Sequence, residues 1–480
     1  MIRTRFAPSP TGSMHIGNLR TALYEYLLAK SKNGKFILRI EDTDQKRIVD
    51  GSLDIIYNTL DLSGIKCDEG PHVGGEYAPY IQSQRKDDYM TYAKKLVDNG
   101  AAYYCFCSKN RDSQNTDIKE IMKYDRHCAK LSKEEVNAKL DNNVEFVIRQ
   151  LIPSGNTTFK DEVFGEITVD NNTLDDQVLI KSDGLPTYNF ANVIDDHLMD
   201  ITHVIRGSEY LTSTPKYNLL YSSLGWDIPI YMHLPLILNE DGQKLSKRKG
   251  DASFQDLLQK GFLPEAIVNY IALLGWSPSD NREFFTLEEL VEAFDTKGLS
   301  KSPSTFDLTK LTWMNGEYIK NMDSESFYNL SSTYLEESIK RSDIDLKKVS
   351  NMVQSRVSFA KDVASLVDFI DTLPEYDTNL YIHKKMKTNE ENSIASLEKA
   401  LELFKTIEEP FTEENIHSRL FSLIEEMGIK NGLMLWPIRT ALSGKPTSPC
   451  GATELAELLG KTESIFRLEK GIELLKNKGV

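Results

Sequence analysis

The chain has 480 residues, of which 40% are hydrophobic and 27% charged, a composition that can fill several hydrophobic cores. Its 57 Lys and Arg residues are outnumbered by 72 Asp and Glu residues, so the formal net charge is −15 and the chain as a whole does not attract polyanions. No stretch approaches the roughly 20 apolar residues of a membrane helix, and the first residues lack the apolar segment of a signal peptide. We therefore predict a cytoplasmic protein of roughly three domains.

The N-terminal segment predicts a strand, a helix and a second strand. Residues 3–7 form a strand candidate, which the prolines and glycine of residues 8–13 end. Apolar residues at helical spacing then predict a helix that Asn33-Gly34 terminates; they are Leu19, Ala22, Leu23, Tyr26 and Leu27. Residues 36–40 form the second strand candidate. This order predicts a doubly wound parallel sheet, in which ligands bind beyond the carboxyl ends of the strands.

A short motif, His15-Ile16-Gly17-Asn18, lies where the first predicted helix begins. A helix N-terminus offers free backbone N–H groups and a partial positive charge, which together favour a phosphate group. Gly12 and Gly17 permit close approach of a nucleotide, and His15 can donate a hydrogen bond to a phosphate. An ordinary strand-to-helix turn with a surface histidine explains the motif equally well when it is taken alone.

The middle of the chain reads as an insertion into the sheet domain. Residues 83–189 contain three grouped cysteines and strand candidates such as residues 145–149, and the doubly wound pattern resumes near Tyr188. From about residue 325 the sequence becomes mostly helical, with long periodic stretches rich in Leu, Glu and Lys. These changes in pattern predict an α/β protein with an inserted α/β segment and an all-helical C-terminal region.

A second motif, Lys244-Leu245-Ser246-Lys247-Arg248, follows a strand candidate at residues 234–238 and a turn at residues 239–242. Taken alone, it is best explained as a solvated basic loop. Flanking glycines, Gly242 and Gly250, would let such a loop move.

Together the two motifs resemble the HIGH and KMSKS signatures of class I aminoacyl-tRNA synthetases, with Asn18 in place of the last histidine of HIGH. Longer segments are similar to the glutamyl branch of that family, so the resemblance covers essentially the whole chain. These segments are residues 5–17, 39–44, 185–191, 204–209 and 435–444.

The resemblance implies a domain organisation. Residues 1–82 and 190–237 would form the Rossmann-like catalytic domain, and residues 83–189 would form an inserted domain that binds the acceptor end of tRNA. Residues 238–324, with the second motif, would contact the tRNA stem. Residues 325–480 would be a helical anticodon-binding region of two subdomains that divide near residue 375.

The resemblance also implies a set of site residues. His15, Lys244 and Lys247 would be catalytic, stabilising charge at the phosphates of ATP. The ATP-binding residues would be Pro10, Thr11, Gly12, His15, Gly17, Asn18, Glu209, Leu236 and Lys247. The glutamate-binding residues would be Arg5, Ala7, Ser9, Glu41, Tyr188, Asn192 and Arg206. Arginine suits the carboxylates of glutamate because its planar fork can bond both oxygens, and Glu41 suits the α-ammonium group.

The reaction implied by the family is ATP-dependent ligation of L-glutamate to the 3′-terminal adenosine of tRNA(Glu) through a glutamyl-adenylate. Mg²⁺ should accompany ATP and keep most of its waters. Because the chain is acidic, tRNA must be held by local basic patches. The sequence leaves open whether tRNA(Gln) is also charged, and a monomer is the family-based expectation.

The cysteine group, Cys105, Cys107 and Cys128, resembles a zinc site found in some members of the family. The family's fourth ligand is a histidine two residues past the last cysteine, and here Lys130 occupies that position. A structural zinc ion needs four ligands, so we favour reduced thiols without zinc.

Three alternatives stay open at this point. The first is an enzyme that attaches glutamate to a modified tRNA base, but such enzymes lack the helical C-terminal region. The second is a glutaminyl-tRNA synthetase, but that branch carries β-barrels in place of the helices. A non-catalytic regulator built on the same fold is the third alternative, and ATP–pyrophosphate exchange would distinguish it from an enzyme.

Overall fold

The computed structural model describes residues 1–12, 14–107, 125–245 and 253–477, so the predicted catalytic residue Lys247 lies outside the described residues. The chain divides into two compact units, Met1–Leu311 and Thr312–Val480. Among the helices of the described residues, none combines the length and apolar composition that crossing a membrane requires.

The first unit alternates strands and helices. Its elements in chain order are β1 (Arg3–Phe6), α1 (Ile16–Ser31), β2 (Lys35–Leu38), α2 (Ser52–Leu62), α3 (Lys86–Asp98), β3 (Ala102–Cys105), α4 (Lys133–Asp141), β4 (Val147–Gln150), β5 (Asn156–Asp161), β6 (Gly165–Asp170), β7 (Val178–Ile180), α5 (Tyr188–Leu198), β8 (His203–Gly207), α6 (Thr214–Leu224), β9 (Ile230–Leu234), β10 (Ile237–Leu238), α7 (Phe254–Lys260), α8 (Pro264–Ala272), α9 (Leu287–Ala293) and β11 (Ser304–Thr305). A further helix, α10 (Leu308–Asn321), crosses the boundary between the units.

Parallel pairing organises the strands that carry the predicted site. β1 pairs with β2, β8 pairs with β9, and β5 joins the other edge of β9, all in parallel. The backbone N–H of Thr202, just before β8, donates to the carbonyl of Arg3 at 3.0 Å and so links β8 to β1. The helix α1 crosses between β1 and β2 with a fully buried apolar face that includes Leu19, Leu23 and Leu27. The prediction of a doubly wound parallel sheet is confirmed.

The segment predicted as an insertion contributes to two sheets. β3, β4 and β7 form an antiparallel sheet, and its residues Ile148 and Leu179 share a core with Phe190 of α5. The hairpin of β5 and β6 instead extends the sheet of β8 and β9 through Asp161, which pairs with Tyr231. The segment therefore packs against α5 with one sheet and shares the other sheet with β8 and β9.

The single strand predicted at residues 234–238 is wrong in its continuity. β9 ends at Leu234 and β10 begins at Ile237, where it pairs with β11 rather than with β8. Pro235 lies at the break, because proline has no N–H to donate to a strand ladder. The carbonyl of Pro235 accepts a hydrogen bond from the buried side chain of Arg20.

The second unit is helical, which confirms the prediction for the C-terminal region. Its helices are α11 (Ser324–Ser338), α12 (Leu346–Val353), α13 (Val363–Val367), α14 (Glu390–Thr406), α15 (Glu413–Glu426), α16 (Asn431–Ser443), α17 (Ala452–Leu459) and α18 (Lys461–Asn477). Arg467 of α18 is fully buried and donates to the carbonyls of Phe369, Ile370 and Leu442. These bonds satisfy backbone acceptors that the ends of neighbouring helices leave open.

Candidate active site

A cavity of about 1210 Å³ opens at the carboxyl ends of the parallel strands and the N-terminus of α1. Most of the predicted ATP residues line it, namely Pro10, Thr11, His15, Gly17, Asn18, Glu209 and Leu236. So do Lys244 and the predicted glutamate residues Arg5, Ala7, Ser9, Glu41, Tyr188 and Arg206. Gly12 and Asn192 are not among its lining residues; Asn192 is buried on α5.

His15 caps the N-terminus of α1. Its Nδ1 accepts a hydrogen bond of 2.9 Å from the backbone N–H of Gly17. A Cβ atom at position 17 would lie 3.2 Å from the same nitrogen, which explains why glycine suits this turn. The backbone of His15 also forms an isolated bridge with Ser253, the first described residue after the second motif. His15 and the first two residues of the second motif, Lys244 and Leu245, all line the cavity.

Arg5, at the end of β1, is buried and already engaged by two acids. Its Nε donates to Asp196 at 2.9 Å, and its Nη1 donates to Glu25 at 3.0 Å. Burial would lower the pKa of Arg5, but the carboxylates of Asp196 and Glu25 outweigh it and hold that pKa above its ordinary value. Arg5 is therefore a permanently charged group that two acids fix at the cavity wall.

Glu41 lies beside a second, fully buried arginine. Arg39 donates to Glu41 at 3.0 Å and to Asp196 at 2.7 Å. Burial raises the pKa of Glu41 to about 7, against the opposing effect of Arg39. The other carboxylate oxygen, Oε2, is buried and makes no hydrogen bond within the described ranges. That oxygen is available to accept a hydrogen bond from a ligand.

Arg206, at the end of β8, differs from Arg5 because no carboxylate of the described residues contacts it. Its Nε donates to the imidazole of His233 at 3.0 Å, and its Nη2 donates to the hydroxyl of Thr214 at 2.7 Å. Tyrosine rings surround it, with Cζ lying 4.6 Å from the ring centroid of Tyr217 and 5.2 Å from that of Tyr231. A buried cation with neutral neighbours is a strong site for an anionic ligand.

Two further pairs shape the cavity. The ring of Tyr188, whose pKa burial raises well above its ordinary range, packs 5.6 Å from that of Tyr210. Lys244 Nζ lies 3.5 Å from the carboxylate of Glu209, so the start of the second motif contacts a predicted ATP residue. A Cβ atom at Gly207 would lie 2.1 Å from that carboxylate, so a larger residue at this position would displace the side chain of Glu209.

Several polar residues of the site have no local sequence signal. Glu25 lies within an ordinary helix, and Asp196, His233 and Asp161 come from elements far apart in the chain. Each is buried, and each contacts a predicted residue directly or through one neighbour.

The three grouped cysteines come together at one end of β3. Their sulfur atoms all lie within 4.8 Å of one another, and Cys107 Sγ is 3.5 Å from Cys128 Sγ. Sulfur ligands of one tetrahedral zinc ion lie about 3.8 Å apart, so three donors fit. Among the described residues, no further His, Cys, Asp or Glu joins the group. The donor set of the described residues is therefore one ligand short.

Two family models match this chain. The model described as "tRNA synthetases class I (E and Q), catalytic domain" matches residues 1–313, and the model described as "Anticodon binding domain" matches residues 326–472.

Full-length relatives and solved structures are also similar. The chain is 58% identical to a glutamate–tRNA ligase of Clostridium kluyveri over 480 residues, 99% of this chain and 98% of the relative. It is 59% identical to a glutamate–tRNA ligase of Clostridium botulinum over 481 residues, 99% of each chain. The crystal structure of a glutamate tRNA ligase from Elizabethkingia meningosepticum in complex with its amino acid superposes with a TM-score of 0.87 at 36% identity and covers 99% of both chains. The glutamate-tRNA synthetase of Elizabethkingia anophelis gives the same TM-score and identity, with 98% of this chain and 99% of the other covered.

Proposed function

Because this chain belongs to the family of class I tRNA synthetases for glutamate and glutamine, we propose that it ligates L-glutamate to the 3′-terminal adenosine of tRNA(Glu). The reaction consumes ATP and passes through a glutamyl-adenylate. The observation that carries this function is the cavity itself, in which a helix N-terminus suited to phosphate shares the lining with the buried residues Arg5, Arg206 and Glu41. Glutamate presents two carboxylates and one ammonium group to match them.

The residues of the cavity support a division of labour for glutamate. Arg206 binds one carboxylate, since its guanidinium has hydrogen-bonding capacity left and no acid of the described residues competes for it. Arg5 lines the same cavity and contributes positive charge to the second carboxylate. The unbonded Oε2 of Glu41 accepts a hydrogen bond from the α-ammonium group. Ser9 and Tyr188 also line the cavity and offer hydroxyl groups to the substrate.

The chemistry needs no protein nucleophile. The α-carboxylate of glutamate attacks the α-phosphorus of ATP and pyrophosphate leaves; the terminal ribose 2′-hydroxyl of tRNA then attacks the adenylate and AMP leaves. The N-terminus of α1, His15 and Lys244 stabilise negative charge at the phosphates. Lys247 has the same role. Mg²⁺, which ATP brings with it, neutralises phosphate charge.

The proposal extends to the rest of the chain. Residues 83–189 bind the acceptor end of tRNA, residues 238–324 contact its stem, and residues 325–480, in two parts that divide near residue 375, bind the anticodon. The match of the anticodon-binding family model to residues 326–472 supports the last assignment. The protein acts as a monomer in the cytoplasm, where its substrates ATP and tRNA are found.

Charging of bulk bacterial tRNA with labelled glutamate, run beside glutamine, tests the function. We expect glutamate to be attached in a reaction that needs both ATP and tRNA, because a buried arginine without a competing acid favours a carboxylate over a neutral amide. Sequencing of the charged tRNA tells whether tRNA(Gln) is also a substrate. Preferential charging with glutamine would contradict the proposal, and no charging at all would favour a regulatory protein.

The raised pKa of Glu41 predicts a pH dependence. Only the ionised carboxylate holds the α-ammonium group, and with a pKa of about 7 the free enzyme loses this form as the pH falls. We expect kcat/KM for glutamate to fall several-fold between pH 8 and pH 6, with a smaller change in kcat/KM for ATP. Steady-state kinetics over this range measure the effect, and the Glu41→Gln variant should have a lower and flatter profile. An unchanged profile in that variant would assign the titration to another group.

The cysteine group predicts little bound metal. Three sulfur donors and no fourth ligand among the described residues should not retain a structural zinc ion, because Lys130, at the position of the family's histidine, is a poor zinc ligand. Elemental analysis of protein purified without added zinc should give well under one equivalent. A stoichiometric zinc content that Cys107→Ser abolishes would show that a fourth ligand completes the site.

A further inference from the structure

We infer that Asp161 and His233 form a buried pair that positions Arg206 for the carboxylate of glutamate. The pair is a positioning device, since neither residue lines the cavity. It rests on the proposed function, because its task is to hold the arginine that binds the amino acid. It also connects the cavity to β5, a strand of the segment predicted as an insertion.

The contacts form a continuous chain from β5 to the cavity. Asp161 Oδ2 lies 2.7 Å from His233 Nδ1, and His233 Nε2 lies 3.0 Å from Arg206 Nε. The side chains of Asp161 and His233 are fully buried, and Arg206 is 6% exposed. The three residues lie on β5, β9 and β8, which are neighbouring strands of one sheet. Their order in space therefore follows from strand pairing.

The surroundings of Asp161 fix where the proton of His233 lies. Asp161 Oδ1 accepts from the backbone N–H groups of Val163 and Phe164, at 2.9 and 2.7 Å, and Oδ2 accepts from the backbone N–H of His233 at 3.0 Å. A carboxylate in this setting acts only as an acceptor, so the contact at Nδ1 requires a ring N–H. Nε2 of the neutral ring is then an acceptor for Arg206. Burial keeps the ring neutral by lowering the pKa of His233, against the opposing charge of Asp161.

The result is an arginine with its orientation fixed at two of three nitrogens. Nε is bonded to His233 and Nη2 to Thr214, while Nη1 makes no hydrogen bond within the described chain. The rings of Tyr217 and Tyr231 lie against the guanidinium at 4.6 and 5.2 Å from Cζ. A free arginine side chain loses considerable rotamer entropy when it binds a ligand. Here the fold already fixes the side chain of Arg206, so less of its rotamer entropy is lost when glutamate binds.

Two substitutions of His233 test the pair. His233→Leu removes the acceptor for Arg206, and we expect the KM for glutamate to rise about 10- to 150-fold, the range for one hydrogen bond to a charged group. His233→Gln keeps an amide oxygen for Arg206 and an amide N–H for Asp161, and we expect it to restore the KM to within about threefold of wild type. In both variants the KM for ATP and kcat should change by less than about threefold, and circular dichroism should confirm folding. The proposal would be overturned if His233→Gln raised the KM for glutamate as much as His233→Leu does. Equal changes in the KM for glutamate and the KM for ATP would also overturn it.

The Asp161→Asn variant provides a second test. Its amide group places an N–H where the carboxylate accepted, so His233 Nδ1 must accept and Nε2 must carry the proton towards Arg206. We expect it to raise the KM for glutamate at least as much as His233→Leu does. A KM for glutamate like that of wild type would overturn the proposed order of contacts.

Equilibrium binding of labelled glutamate in the presence of tRNA distinguishes a failure of the proposed function from a failure of the positioning pair. It is measured on the wild-type protein and on the His233→Leu, His233→Gln and Asp161→Asn variants. Wild-type protein that charges no glutamate contradicts the proposed function, whereas wild-type charging with unaltered binding in the variants contradicts only the pair.

Discussion

Replacing Arg206 with leucine is expected to lower kcat/KM for glutamate about a thousandfold, the largest effect on activity that this cavity predicts. The guanidinium is buried among three tyrosines and meets no acid of the described residues, so its charge and its Nη1 remain available to a substrate carboxylate. Loss of one partner from a buried charge pair costs about 4 kcal/mol, which corresponds to a factor of roughly a thousand. Steady-state kinetics with varied glutamate and saturating ATP and tRNA measure it.

Two further variants make the Arg206 experiment specific. Arg206→Lys keeps the charge but cannot bond His233, Thr214 and a carboxylate together. We therefore expect its kcat/KM for glutamate to lie between the values for Arg206→Leu and wild type. Arg282→Leu removes an arginine that lies on the surface beside Asp280 and does not line the cavity, so it should leave the KM for glutamate unchanged. If the leucine variant at position 206 raised the KM for ATP as much as that for glutamate, Arg206 would not be a glutamate residue.

Replacing Arg39 with methionine should give the largest loss of stability, about 3–5 kcal/mol. Arg39 has no exposed surface and compensates the charge of Glu41, Asp195 and Asp196, all of them buried. Without the guanidinium these carboxylates keep their desolvation penalty and repel one another, and removal of one partner from a buried ionic group is costly for that reason. Urea denaturation followed by circular dichroism measures the loss.

A surface arginine, Arg282, provides the control for Arg39. Arg282→Met should change the free energy of unfolding by less than about 0.5 kcal/mol, because exposed ion pairs contribute little. The methionine variant at position 39 should also be more stable at pH 5 than at pH 8 relative to wild type, since protonation removes the uncompensated charges. A loss below 1 kcal/mol at pH 8 would mean that water reaches these acids when Arg39 is absent.

Local pattern was sufficient to predict the elements that carry the motifs. The strand before Pro8, the helix that begins near His15 and the strand before Glu41 all follow from apolar spacing and from the prolines and glycines between them. The failure at Pro235 has the same origin, because an apolar run of five residues suggested one strand and one proline divides it. The helical C-terminal unit could also be predicted from the sequence, because its stretches of helical periodicity are long.

The rest of the site depends on contacts between distant residues, which no local pattern contains. Asp161 and His233 are separated by 72 positions, and each is an unremarkable residue of a short strand. Glu25 has the spacing of a buried helix face, where an acid would not be expected until its partner Arg5 is known to be opposite. The family resemblance pointed to Asn192, but that residue is not among those that line the cavity. Polar groups of this kind are specified by tertiary structure, and coordinates are needed to find them.

The pairing of β5 with β9 limits how the inserted segment can be exchanged. If residues 83–189 were transplanted between relatives as a self-contained module, to alter which acceptor stem is read, Asp161 would travel with the graft while His233 and Arg206 stayed in the recipient. A chimera made in this way should bind its new tRNA and yet use glutamate poorly unless the donor supplies an equivalent acid. Successful grafts should therefore leave β5 and β6 of the recipient in place.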